Sequence, residues 1–142
     1  MYVFLVNKQP KSVNARYTDK YKQEIKKTFL SDYGAITPLS DTLYGICYYF
    51  HNKPSTMDAD NLSKPIWDAL EEIVYTDDKI IKLRISGMID LKKHHESTTI
   101  DFTYLPVKIF ARFIDMMDTE DHILYIELGV LDYKKHFRMN IE

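Results

Sequence analysis

Asn61-Leu62-Ser63-Lys64-Pro65-Ile66-Trp67-Asp68-Ala69-Leu70 decides the fold. Leu62, Ile66, Ala69, Leu70 and Ile73 recur at helical spacing. Pro65 lacks an N–H, so it fits only the first turn, and the spacing predicts a helix from close to Asn61 or Ser63 to Ile73. Upstream, Leu43 to Phe50 is aromatic, nearly uninterrupted and preceded by turn chemistry from Thr37-Pro38 to Asp41, which predicts a buried strand. Downstream, Ile81, Leu83 and Ile85 alternate with Lys82 and Arg84, a half-exposed strand over Lys79 to Ile85 with a basic outer side.

Further out, Tyr2 to Val6 is β-rich, and Asn7 to Asn14 with Pro10 is a loop. Tyr17, Tyr21, Ile25 and Phe29, separated by Lys20, Lys22, Lys26 and Lys27, predict an amphipathic helix with a basic exposed side, ending near Asp32-Tyr33-Gly34. Thr98 to Tyr104 is a further strand. Ile109, Phe110, Phe113, Ile114 and Met117 favour a helix, while Ile123 to Leu131 fits a strand or a second helix. The expected fold class is α/β of the α+β kind: a small domain over residues 1–104 with a mixed β-sheet and two helices in the order β-α-β-α-β-β. Residues 105–142 form a helical C-terminal extension, packed on the same domain or forming an interaction surface.

With 142 residues, 45% hydrophobic, 28% charged, 4 Gly and 5 Pro, the composition is that of one globular domain and excludes disordered and fibrous classes. Cys47 is the single cysteine, so no internal disulfide forms, and the expected localisation is cytoplasmic. The longest apolar run falls far short of a membrane span. Net charge is −2, but it is patterned. Residues 1–30 carry seven Lys/Arg against two acids, residues 31–78 two against nine, residues 79–112 seven against three, and residues 113–142 three against seven. An acidic centre between basic blocks suits a metal site serving a polyanion.

That acidic centre holds Asp58, Asp60, Asp68, Asp77 and Asp78, with Lys64 among them. Mg²⁺ takes oxygen ligands at roughly 2.0–2.1 Å and keeps several waters, so few carboxylates suffice. If Asp58 and Asp60 end an extended segment, both side chains point one way and share one ion or bridge two. Lys64 and Asp68 share a helix side. An ammonium there either neutralises charge on a transferring phosphoryl group or orients the attacking water. Asp77 and Asp78, adjacent at a strand start, point oppositely, and Asp78 is the one chosen as ligand. Each residue alone also has a bland reading: helix cap, turn residue or solvated charge.

Together they resemble the signature of the RusA-type Holliday junction resolvases, D-x-D-N-x-x-K, then D-A-L, then an aromatic residue shortly before D-D. Here these read Asp58-Ala59-Asp60-Asn61-Leu62-Ser63-Lys64, Asp68-Ala69-Leu70 and Tyr75-Thr76-Asp77-Asp78, and Pro10-Lys11-Ser12-Val13-Asn14-Ala15-Arg16 is similar to the family's early loop. The resemblance covers roughly residues 1–104. It implies a homodimeric endodeoxyribonuclease that resolves Holliday junctions or other branched DNA in recombination and repair. It implies Mg²⁺, with Mn²⁺ a possible substitute, on Asp58, Asp60 and Asp78, and Lys64 as catalytic lysine. Asp68 and Asp77 match family residues with a structural role. Candidate DNA-binding residues are Asn14, Arg16, Lys20, Lys53, Lys82 and Arg84. Lys53 is the one basic residue between Phe50 and Asp58, where resolvases of this type can carry an arginine-rich run.

Two other readings stand beside this one: a catalytically inactive module, derived from the nuclease, that binds branched DNA or a protein, and a related enzyme acting on RNA or foreign DNA. Trp67 either stacks on an unpaired base or packs in the core. His94-His95 is expected to be solvated loop, and Cys47 has no nucleophile arrangement.

Overall fold

The computed structural model describes residues 1–13, 15–93 and 99–139. Four strands, β1 (Tyr2–Val6), β2 (Leu43–His51), β3 (Ile81–Asp90) and β4 (His122–Val130), form one sheet in the order β1-β4-β2-β3. β4 runs antiparallel to both β1 and β2, and β2 runs parallel to β3. A parallel pair needs a long crossover. Here it spans residues 52–80 and contains α2 (Ser63–Leu70).

The inner strands are buried on both sides, which explains their nearly continuous apolar runs. Phe4, Val6, Cys47, Tyr49, Leu124, Ile126 and Leu128 belong to one core, shared with α1 (Thr18–Tyr33) and α2. Val3, Leu5, Phe50 and Ile123 belong to a second core with Ile109 and Phe113 of α3 (Val107–Thr119). A short helix, α4 (Tyr133–His136), follows β4.

α1 buries Tyr21, Ile25 and Phe29 as its periodicity predicts. Tyr17 departs from that stripe: it precedes the helix at φ 64° and is 70% exposed. At the other end Gly34, at φ 72°, donates its N–H to the Leu30 carbonyl at 2.8 Å and stops the helix where expected.

α2 is held to the sheet by Trp67. A Cβ on Gly45 of β2 would stand 2.6 Å from the indole, so only glycine admits this approach. Trp67 is fully buried, which makes it core and removes it as an exposed stacking surface. The helix ends at Leu70, short of the expected Ile73. Glu71 is already extended and Glu72 adopts φ 74°, and across this reversal the Val74 N–H donates to the Leu70 carbonyl at 3.0 Å.

The class and the mixed sheet are as expected, but the fourth strand comes from elsewhere. Residues 99–104 form no strand. Asp101 instead accepts the Thr103 N–H at 2.9 Å, a local bond that competes with strand pairing. Ile100 and Phe102 pack against the second core. Of the two options for Ile123 to Leu131 the strand is realised, so among the described residues the C-terminal region is helical only over α3 and α4. Among the described residues, no helix is long and apolar enough to cross a membrane.

Candidate metal centre

α2 carries Lys64 in its first turn and Asp68 one turn later, and their side chains meet at 2.5 Å. Lys64 Nζ also lies 3.6 Å from Asp78 Oδ2. The acids raise the Lys64 pKa: the hydrogen bond that it donates to Asp68 contributes most, desolvation opposes it next, and the charges of Asp68 and Asp78 add to the rise. The lysine is therefore held as an ammonium. From β3, Arg84 Nη2 approaches Asp78 Oδ2 at 3.4 Å and donates to the Asp78 carbonyl at 2.8 Å.

Asp78 stands in a 3-10 turn, Asp78–Ile80, just before β3. Asp77 caps that turn, accepting the Lys79 N–H at 2.9 Å. Strand alternation therefore does not govern the pair. Where alternation would let only one of them reach an ion, both lie in one group with Glu71, one carboxylate oxygen from each residue lying within 4.8 Å of the others. Ligands of a single Mg²⁺ lie at most about 4.2 Å apart, twice the metal–oxygen distance, so this oxygen-only set fits a hard divalent cation after small side-chain adjustments.

Asp58 and Asp60 precede α2 in the chain. Asp58 is extended, at φ −104° and ψ 163°, and caps the 3-10 turn Ala59–Asn61 by accepting the Asn61 N–H at 3.2 Å. Asp60 is inside that turn, so the same-side rule for extended residues does not apply to the two. Its carboxylate is exposed and makes no hydrogen bond or ion pair with a described residue. Asp60 lines a hollow with Ser63, Arg84 and Ser86, and Arg84 is the residue that grips Asp78. Lys64, Asp68 and Asp78 thus meet directly, with Asp60 across Arg84 from Asp78. Asp58 and Asp60 are not in the 4.8 Å group.

Glu71 was not foreseen from sequence. Its signal was its place: a carboxylate at the C-terminal end of a helix opposes the helix dipole and calls for a compensating partner. Tyr75 explains the aromatic residue before the aspartate pair. Its buried hydroxyl donates to the Trp67 carbonyl at 2.5 Å, tying the aspartate turn to α2. Burial pushes the phenol pKa far up, so it remains a donor.

Of the candidate DNA-binding residues, Arg16, Lys20 and Lys82 are exposed and form no ion pair with a described residue. Arg84 serves Asp78, and Lys53 pairs with Asp121 at 3.1 Å. Asn14 and His94-His95 lie outside the described residues. Cys47 is buried, and desolvation lifts its pKa to about 11 against a weaker lowering by the Ser86 hydroxyl, which excludes a thiolate nucleophile at neutral pH.

The family model of endodeoxyribonuclease RusA matches residues 5–100 of this chain. No curated protein matches it.

Proposed function

This chain belongs to the endodeoxyribonuclease RusA family, and from that premise we propose that it is a Mg²⁺-dependent nuclease that resolves Holliday junctions or other branched DNA in recombination and repair. It acts in the cytoplasm as a homodimer, whose paired sites nick a four-way junction symmetrically. The observation that carries this reading is the meeting at 3.6 Å of Lys64, in the first turn of α2, with Asp78, near the end of the crossover. Asp58, Asp60 and Asp78 would hold the metal, with Mn²⁺ a substitute. A divalent ion bound there supplies polarisation of the scissile phosphate and a water acidic enough to attack near neutral pH.

The chain's own groups do the rest. Lys64, kept charged by Asp68 and Asp78, offers its ammonium to the negative charge that grows on the phosphoryl group. Arg84 is placed between Asp60 and Asp78, where a phosphate oxygen arriving at the centre meets a guanidinium fork. Arg16, Lys20, Lys53 and Lys82, with Asn14, steer and hold the backbone of the DNA without reading its bases. Residues 1–104 provide the catalytic elements, and the segment beyond supplies the strand that joins β1 to β2.

Purified protein incubated with four-way junction DNA and Mg²⁺ is expected to give paired nicks, while Asp60→Asn abolishes cleavage and largely spares binding. Failure to cut junctions, flaps or single strands with any divalent ion overturns the assignment. One observation favours a second reading, a DNA- or protein-binding module without activity: Asp58 and Asp60 stand outside the carboxylate group formed by Glu71, Asp77 and Asp78. Calorimetry separates the two, since the inactive module takes up no Mg²⁺ or Mn²⁺.

A further inference from the structure

Asp78 is held at every polar group it has. Its N–H donates to Glu71 Oε1 at 3.2 Å, its carbonyl accepts from Arg84 at 2.8 Å, and its carboxylate faces Lys64 and Arg84. Three of these contacts come from Lys64 and Arg84, cations that a phosphate would also engage. The fourth comes from Glu71, and its placement is costly. Glu71 follows the last residue of α2, where the helix dipole disfavours a carboxylate, and one of its oxygens lies within 4.8 Å of an oxygen of Asp77 and of Asp78. The residue after it takes a left-handed backbone at φ 74° without being glycine. Strain and like charge are thus concentrated at the one point where the crossover turns back toward the sheet.

We propose that Glu71 is the positioning residue for Asp78. By accepting the Asp78 N–H it locks the 3-10 turn against the end of α2, so the Asp78 carboxylate is presented on the same side as Lys64 before any metal arrives. Glu71 acts through the main chain of Asp78. This role rests on the reading of Asp78 as a metal ligand, and it adds a carboxylate that the family-like motif does not include. Partners that hydrogen-bond a ligating residue are worth about 10–100-fold in metal affinity.

The test is Mn²⁺ binding to the full chain without DNA, followed by calorimetry and paramagnetic resonance, with thermal melting in parallel. Glu71→Ala is expected to weaken Mn²⁺ at least about tenfold. Glu71→Gln retains a carbonyl oxygen for the Asp78 N–H and is expected to stay short of the about tenfold loss that a missing partner causes. Both variants should melt close to the parent. Wild-type affinity in Glu71→Ala overturns the role. So does an equal loss in Glu71→Gln, which would make the charge, and not the acceptor, the active feature. An independent readout needs no variant: the Asp78 amide should exchange its hydrogen slowly in the parent chain, and fast exchange there also overturns the proposal. If Asp78→Asn weakens Mn²⁺ while Glu71→Ala does not, only the role of Glu71 falls. If the parent takes up no Mn²⁺ at all, the nuclease assignment fails first.

Discussion

The acids that precede α2 and those that follow it are built differently. Asp77 and Asp78 sit in a turn pinned to the sheet and helix: Glu71 holds the Asp78 N–H, Arg84 its carbonyl, and Lys64 and Arg84 its carboxylate. Asp60 is exposed, with no described partner, and Asp58 is occupied only by its own turn. One side is preorganised and its charge is already balanced by cations. The other has kept its charge and its freedom. A site divided this way fixes one ligand in place and lets the second adjust to the incoming ion and phosphate, a division suited to Mg²⁺, which demands near-ideal octahedral geometry.

Charge removal on each side is the largest break. Asp60→Asn is expected to abolish cleavage and Asp78→Asn to lower it by at least about 10³-fold, the upper end for loss of one electrostatic group at a reacting centre. Melting separates them: Asp60→Asn leaves the transition where it was, whereas Asp78→Asn, which strips a partner from both Lys64 and Arg84, shifts it. Equal melting behaviour breaks the contrast drawn above.

Next comes Lys64→Ala, expected to cost about 10²-fold in turnover with junction binding nearly intact. Lys64→Arg should restore little, because a guanidinium fork does not replace a compact ammonium. Single-turnover cleavage checks both. Smaller still is Gly45→Ala, which forces a methyl against Trp67 and is expected to destabilise the fold by about 1–3 kcal/mol, read by urea unfolding. It should weaken cleavage only as far as α2 shifts.

The smallest effect concerns pH. The Lys64 pKa is raised, chiefly by its hydrogen bond with Asp68, so the stabilisation of the charged pair is complete below the ordinary lysine range and is lost as pH rises through the raised value. In Asp68→Asn the alkaline loss of activity should begin at lower pH. A pH–rate profile decides it, and an unmoved alkaline limb means that Asp68 does not hold the proton on Lys64.

Much of this was legible in the residues themselves. Pro65 marked the first turn of α2, the four-residue spacing of Tyr21, Ile25 and Phe29 marked α1, and Gly34 marked its end. The pairing of Lys64 with Asp68 followed from helical geometry alone. What escaped had tertiary causes. Thr99 to Tyr104 has strand-forming residues, but Asp101 bonds its own neighbours and the open place in the sheet goes to β4. The joint position of Asp77 and Asp78 depends on a 3-10 turn where alternation was assumed. Glu71 became visible only when the chain reversal at Glu72 brought it over the Asp78 amide.

The family match ends at residue 100, yet β4, from His122 to Val130, is the strand that separates β1 from β2. A ribosome must therefore release the chain as far as β4 before the first strand gains a strand beside it. Until then β1 and one flank of β2 present bare edges, the state most open to clumping with other nascent chains. Any premature stop before position 122 would thus yield aggregate or degradation in place of a shortened nuclease.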